Sequence, residues 1–466
     1  MKNINNYLYK KNDFLRYNVD NKEYVFFSDT LQIFKIDNED LIDFFNLCNN
    51  PQKENNLKIE NIKSLFDFLE NSKKESKPIE KLSIDGLKLN SLIFHLTNDC
   101  NLKCSYCFIF EKENKEKKMT FNTAKKAIDF LLKKSPDEKT YSIMFFGGEP
   151  LLEYKLMKDI VNYSKKIMDE RGKKIYFTIT TNGTIFNNEI ISFLKENNFN
   201  ILISLDGPED IHNKHRIYKN NKGSFSKIIE LVELLKNSDI SFNIRNTITP
   251  DNENIVCIMD FFEKSKLNYG FGFAMNSKEV NEKITSYKNN DIENFKTNYK
   301  KLIDYFYNKI INKEEIYNSN IPNCLLRIDA QIGKEAACTS GKSTLSITSD
   351  DSIYSCQCII NHNDAKIGNL FDGIDTNKHS VFQAQGVKNI IECQNCWCRY
   401  LCSGGCYYEH YIENNTTNIP AAFKCEITKI QWEYLIKLYH SVKNVLPEYF
   451  DTAKEITKYE KIPFIA

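Results

Sequence analysis

The stretch Asp99–Phe108, DCNLKCSYCF, sets Cys100, Cys104 and Cys107 within eight residues, with no further cysteine near them. A structural zinc site takes four protein ligands. Here a fourth would have to come from elsewhere, because His95, on the apolar run just before, has the wrong reach. A [4Fe–4S] cube takes one ligand per iron. Three thiolates would hold such a cube and leave one iron open to something small, with Tyr106 and Phe108 shielding one side.

The run that carries this loop, LIFHLT (92–97), is the first of six short, mostly apolar, β-rich segments. The others are YSIMFF (141–146), IYFTIT (175–180), ILISLD (201–206), FNIRNTIT (242–249) and YGFGFA (269–274). Helical stretches such as TFNTAKKAIDFLLKK (120–134) and GSFSKIIELVELLKN (223–237) separate the first five. Near-continuous apolar strands alternating with helices predict a parallel sheet covered on both faces. Six units fit an open barrel or a doubly wound sheet, and in both the chemistry sits at the C-terminal ends of the strands. The polar signatures NDC (98–100), GGEP (147–150), TTNGT (180–184) and SLDGP (204–208) stand at those ends.

Residues 1–75 read differently. EYVFF (23–27) and TLQIFKI (30–36) predict strands joined by a turn. NEDLIDFFNLC (38–48), with Asn38 as cap, and NIKSLFDFLENSKK (61–74) predict helices. Strands followed by helices suggest a small winged-helix-like unit, and NSKKESKP (71–78) reads as its linker. Beyond Ala274 one amphipathic helix, NFKTNYKKLIDYFYNKIIN (294–312), leads to a region crowded with cysteines and then a helical tail.

The bulk numbers exclude several classes. With 63 basic and 62 acidic residues the formal charge is +1, which gives no case for a nucleic-acid partner. The N-terminus has no apolar signal region and no run is long enough to span a membrane, so a cytoplasmic protein with no membrane partner is expected. Fifteen cysteines in such a chain are better metal ligands than disulfides. Cys48 and Cys257, in predicted helices, read as core.

CNLKCSYCF resembles the CxxxCxxC signature of the radical S-adenosylmethionine (SAM) superfamily, and strand order and motifs extend the likeness from about Ser91 to Ala274. The resemblance implies a partial (β/α)6 TIM-like barrel in an α/β chain. Its open iron chelates SAM, and one electron releases a 5'-deoxyadenosyl radical that abstracts a substrate hydrogen. Cys100, Cys104 and Cys107 become the catalytic cluster ligands. Tyr106 and the GGEP residues Gly147, Gly148, Glu149 and Pro150 fall at the cofactor, with Glu149 charged beside the methionine amino group. Thr180, Asn182, Ser204 and Asp206 line the same mouth, and Arg216 matches an arginine that reaches the cofactor carboxylate with its fork of donors.

The tail CQNCWCRYLCSGGC (393–406), with Cys338 and Cys356 upstream and Cys425 downstream, resembles the SPASM extension of peptide-modifying radical enzymes. That likeness assigns Cys393, Cys396, Cys402 and Cys425 to one auxiliary [4Fe–4S] cluster and Cys338, Cys356 and Cys406 to another. With the loop set this makes three clusters. Cys324 is the favoured fourth ligand of the second, with Cys358 a rival, and Cys398 reads as packing. The motif's usual glycine is Asp351 here, which a β-turn tolerates. The expected domains are 1–78 for peptide recognition with linker, 79–290 for the barrel, 291–321 for a connecting helix, 322–430 for SPASM and 431–466 for a helical tail.

Together these features imply a maturase that binds the leader of a ribosomally made precursor peptide as an added strand. A one-electron reductant such as flavodoxin or ferredoxin would supply it. The expected product is an intramolecular thioether. Carbon–carbon cross-linking and anaerobic formylglycine formation on sulfatases are the alternatives, and a peptide-binding iron–sulfur scaffold is the non-enzymatic one. Against formylglycine formation, the residue after Cys356 is Gln357, where that family has an aspartate acting as base.

Overall fold

The computed structural model describes residues 4–52, 57–74, 80–82, 87–109, 118–238, 240–252, 254–274 and 291–451. Near the N-terminus, β1 (Phe14–Val19), β2 (Lys22–Phe27) and β3 (Ile33–Ile36) form an antiparallel sheet in that order. Helices α1 (Glu39–Asn49) and α2 (Ile59–Lys74) follow. Asn38 caps α1 as expected, its side chain accepting from Leu41 N at 2.8 Å. Strand β1, FLRYNV, was not anticipated, because Arg16 and Asn18 interrupt its apolar pattern. The expected linker begins inside α2, and its residues 75–78 lie outside the described ones.

Successive strand residues point to opposite faces, and this small sheet buries both. Val25 and Phe27 pack with Phe44, Phe45 and Ile62 of the two helices. Tyr24 and Phe26 turn the other way and join the main core. On that side Tyr17 Oη lies 3.2 Å from His440 Nδ1, and Phe26 meets Trp397 edge-on at 6.3 Å. Arg399 clamps the contact, with Nη2 at 2.7 Å from Asp29 Oδ1 and Nη1 at 3.2 Å from Asp13 Oδ1. Asp29 stays largely solvated, so Arg399→Ala should cost on the order of 1 kcal/mol. The sharper readout is local: trypsin should cut residues 1–75 faster in this variant, and an unchanged cleavage rate would mean that aromatic packing alone holds the sheet.

Strand β4 (Glu80–Leu82) pairs later with β11 (Ile332–Lys334). The six expected parallel strands follow: β5 (Ser91–His95), β6 (Thr140–Phe146), β7 (Lys174–Thr181), β8 (Asn200–Ser204), β9 (Phe242–Ile248) and β10 (Tyr269–Phe273). They lie side by side in chain order, without the switch point of a doubly wound sheet. This sequential order is that of an open barrel. Phe94, Phe145, Ile179, Ile203 and Ile244 face the surrounding helices in one core. Their strand neighbours His95, Thr180, Ser204 and Arg245 therefore face the other way.

The sheet does not stop at β5. Strand β12 (Thr344–Ile347) pairs in parallel with it, and β13 (Ser352–Tyr354), β14 (Gly368–Asn369) and β15 (Gly373–Ile374) continue antiparallel. One ten-stranded sheet thus runs from β10 to β15. Asp351 turns the β12–β13 hairpin at φ +61°, the left-handed region that explains why glycine suits this position. Its carboxylate also meets Lys126 Nζ of α3 (Phe121–Lys134) at 3.1 Å. The expected amphipathic helix spans Asp291–Ile311, and the tail helix is Ala422–Val445. Cys48 is buried as expected, but Cys257 is exposed. It lies off the buried stripe Ile255, Ile258, Met259 and Phe262 of its helix. Among the described residues no helix is long and apolar enough to cross a membrane.

A candidate cofactor site at the strand ends

The loop carrying Cys100, Cys104 and Cys107 is fixed by its neighbours' backbone. Gly148 N donates to Thr97 O at 2.7 Å and Glu149 N to Asp99 O at 2.9 Å. A Cβ at Gly147 would lie 2.4 Å from Thr97 O, and one at Gly148 would lie 2.0 Å from Asp99 O. The two glycines therefore let GGEP close on the cysteine loop itself. Pro150 then opens a single 3-10 turn capped by Glu149.

Glu149 is an internal staple. Oε1 accepts from Leu151 N at 3.1 Å and Thr181 Oγ1 at 2.8 Å, and Oε2 accepts from Asn182 N at 2.7 Å. Burial pushes its carboxyl up to about 7 against those three bonds. Its sequence reading placed that charge at the cofactor's amino group; here the carboxyl is buried and joins two strand-end loops. Asn182 Nδ2 donates to Asn101 Oδ1 at 2.9 Å and reaches Cys100 Sγ at 3.5 Å. Leu102 N lies 3.4 Å from the same sulfur. Donors aimed at a sulfur favour its thiolate form.

Asp206 is the second hub. Its Oδ2 accepts from Arg216 Nε at 2.9 Å and from Tyr106 Oη, and its Oδ1 from Thr247 N at 3.0 Å. Burial pushes this carboxyl up, but Arg216 and the hydrogen bonds hold it below the usual range. Arg216 also stacks over Tyr106 at 5.3 Å and brings Nη1 to 4.0 Å from Cys104 Sγ. Half-buried Tyr106 and buried Asp206 and Arg216 thus form one group beside the loop. Thr180, the last residue but one of β7, and Ser204, the last of β8, stand at the ends of adjacent strands. His95, buried and pushed down to about 3, has no hydrogen-bond partner on either ring nitrogen among the described residues.

The cysteines assemble in three sets. Cys104 faces Cys100 and Cys107. Cys402 faces Cys393, Cys396 and Cys425. Cys406 faces Cys338 and Cys356. Buried Cys398 packs beside Cys396 and Cys402. Cys324 stands apart, half-buried, with Arg327 and Lys334 as its charged neighbours. Among the described residues no three His, Cys, Asp or Glu side chains converge tightly enough for a single metal ion. All-thiol sets of three and four fit a cube, in which each sulfur takes a different iron. Burial pushes Cys100 and Cys104 up to about 12, so metal binding must displace their protons.

Residues 94–264 match the Radical SAM superfamily model. The chain carries a radical SAM domain. With that domain and enzymes among its relatives, the chain is read as an enzyme. A cysteine-type anaerobic sulfatase-maturating enzyme of Clostridium novyi is 28% identical over 331 residues, covering 68% of this chain and 87% of that one. The radical SAM cyclopropyl synthase TigE of Paramaledivibacter caminithermalis is 26% identical over 378 residues, covering 76% and 75%. Among solved structures, native anSMEcpe with bound AdoMet superposes with a TM-score of 0.64 at 24% identity, over 76% of this chain and 99% of that one. That likeness carries the fold.

Around the radical SAM domain, sequence reasoning missed Arg245, Thr181 and Asn101. Arg245 had a visible signal: a lone cation at an alternate position of the apolar strand FNIRNTIT.

Proposed function

We propose that this enzyme matures a ribosomally made peptide, holding the leader on β3 and modifying the core at the barrel mouth. The observation that supports this is the small N-terminal sheet. Both its faces are buried, β3 is one of its two edge strands, and Arg399 fixes it beside Cys393–Cys402. An edge strand offers unpaired backbone groups, which is what strand addition uses. Cys100, Cys104 and Cys107 would hold the cluster that binds SAM, with the Tyr106–Asp206–Arg216 group beside it. Cys393, Cys396, Cys402 and Cys425 would hold one auxiliary cluster, and Cys338, Cys356 and Cys406 a second, in a SPASM-type region. When bound, SAM and the clusters supply one-electron chemistry: an adenosyl radical to remove a peptide hydrogen, and acceptors for the electron left over. The product we favour is a thioether, in which the peptide loses two hydrogens and gains one carbon–sulfur bond. A flavodoxin or ferredoxin would be the reductant.

Adjacent N–H groups of a strand point to opposite sides, so Phe34→Pro and Lys35→Pro separate the free edge from the ladder to β2. One of the two should weaken peptide binding at least tenfold with SAM cleavage unchanged. Equal peptide affinity in both folded variants would exclude β3 as the docking strand. For cluster content, the reconstituted protein should hold about twelve irons, and Cys100, Cys104 and Cys107 changed together to Ala should remove about four. Stable zinc with negligible iron would sink this assignment.

Formylglycine formation is the second reading, favoured by the identity to the Clostridium novyi enzyme. Gln357 has no carboxylate to accept a proton, which speaks against it. Incubation with a cysteine-bearing sulfatase peptide, read by aldehyde trapping, decides between the two.

A further inference from the structure

A second line of contacts, separate from the Asp206 hub, holds the cysteine loop. Residues 215–219 run antiparallel beside it as a strap. Lys103 N donates to Ile217 O at 2.8 Å, Ser105 N to His215 O at 3.1 Å and Lys219 N to Asn101 O at 3.3 Å, with a bridge between Leu102 and Tyr218. Lys219 Nζ adds an ion pair to Asp99 Oδ1 at 2.8 Å.

His215 gives this strap more than a carbonyl. Its ring, 3% exposed, stands at the end of the helix Glu209–His215. Nδ1 lies 2.7 Å from Ser105 Oγ, and Nε2 lies 3.2 Å from both Thr249 Oγ1 and Asp251 Oδ1, just beyond β9. A carboxylate oxygen only accepts, so in the neutral ring Nε2 carries the proton and Nδ1 accepts from the Ser105 hydroxyl. One residue therefore holds Ser105 twice, by its N–H and by its side chain. The next residues repeat the pattern. Tyr106 follows Ser105, Arg216 follows His215, and those two meet on Asp206, whose other oxygen accepts from Thr247 N of β9 at 3.0 Å. Two adjacent loop residues are thus tied through two adjacent strap residues to positions 247 and 249. The Asp206 line places the guanidinium. The His215 line fixes the height of the loop beside it.

We propose that His215 is a positioning residue for SAM: by tying Ser105 to Thr249 and Asp251 it sets the cysteine loop relative to Arg216, so that loop and guanidinium can engage one ligand together. This rests on the reading in which Cys100, Cys104, Cys107 and Arg216 serve SAM. The tether touches no thiol and no substrate, and it acts only through where it holds Ser105.

The test uses the full chain, reconstituted anaerobically and supplied with SAM and dithionite, and reads 5'-deoxyadenosine. His215→Ala and Ser105→Ala should each raise KM for SAM about five- to tenfold, the scale of one lost hydrogen bond, with kcat and iron content close to the parent's. The double variant should be no worse than His215→Ala, because the same tether is broken once. His215→Asn should recover most of the affinity, since its side-chain carbonyl can accept from Ser105 in place of Nδ1. Lys214→Ala removes the exposed ion pair to Asp251 but leaves the ring, and its KM should stay within about twofold of the parent's. A fall in kcat and iron at unchanged KM would make His215 a merely structural residue and overturn the proposal. Additive losses in the double variant, or no recovery with asparagine, would overturn it as well. A parent chain that holds no iron or leaves SAM uncleaved would instead refute the reading of the SAM site, so the two failures are distinct.

Discussion

Gly148→Ala should strip the radical SAM cluster from the chain. The added Cβ would lie 2.0 Å from Asp99 O and 2.5 Å from Asp99 C. Both are backbone atoms, one residue before Cys100, so no side chain can swing aside to relieve the clash. Overpacking of this kind costs about 1–3 kcal/mol. Its larger effect is positional, because the same residue donates to Thr97 O at 2.7 Å and so sets the height of the cysteine loop. The variant should lose about four irons per chain, as expected for one cube, and SAM cleavage should fall at least a hundredfold. Gly172→Asn is the control, since nothing lies within 4 Å of a Cβ there and asparagine tolerates its φ of +63°. Full iron content in Gly148→Ala would show that the loop can shift without losing its ligand geometry.

Asp206→Ala should be as damaging through a different route. It leaves Arg216, 8% exposed, as a buried cation without its carboxylate, and it strands Tyr106 Oη and Thr247 N. Removing one partner of a buried pair costs about 3–5 kcal/mol. The apparent melting temperature should drop sharply, and SAM affinity with it. The double variant Asp206→Asn with Arg216→Gln carries no orphaned charge, so its loss of stability should be smaller than the sum of the two single losses. Strict additivity would mean that the two side chains do not act as a unit.

The parallel core was legible because strands buried on both faces are almost wholly apolar, and LIFHLT, YSIMFF and ILISLD carry that signature without help from their neighbours. Local chemistry was equally readable: Asn38 caps its helix and Asp351 fills a left-handed turn. Partnerships distant in the chain were not. Nothing in GGEP reveals that Glu149 takes three donors, two of them from residues more than thirty positions on. TLSI is recognisable as a possible strand, but its pairing with β5 is not encoded in its own residues. The cysteines divide along the same line. Spacing singled out only the loop set; the two tail sets came from the resemblance to the SPASM extension, and neither route ranks Cys324 against Cys358, which differ in where the fold carries them. Cys257 was misjudged because a thiol looks apolar wherever it stands, and only its angular position on the helix exposes it.

The pairing of β12 with β5 also has a consequence for synthesis on the ribosome. The first barrel strand is complete by His95, but its outer neighbour begins at Thr344. At about 5–20 residues per second, this edge waits on the order of 10–50 s for its partner. Throughout that interval the nascent barrel presents an apolar strand with an open hydrogen-bonding edge. A chain that terminates before Thr344 never covers it. Such truncated products should appear in inclusion bodies even though every residue of the radical SAM domain has been made.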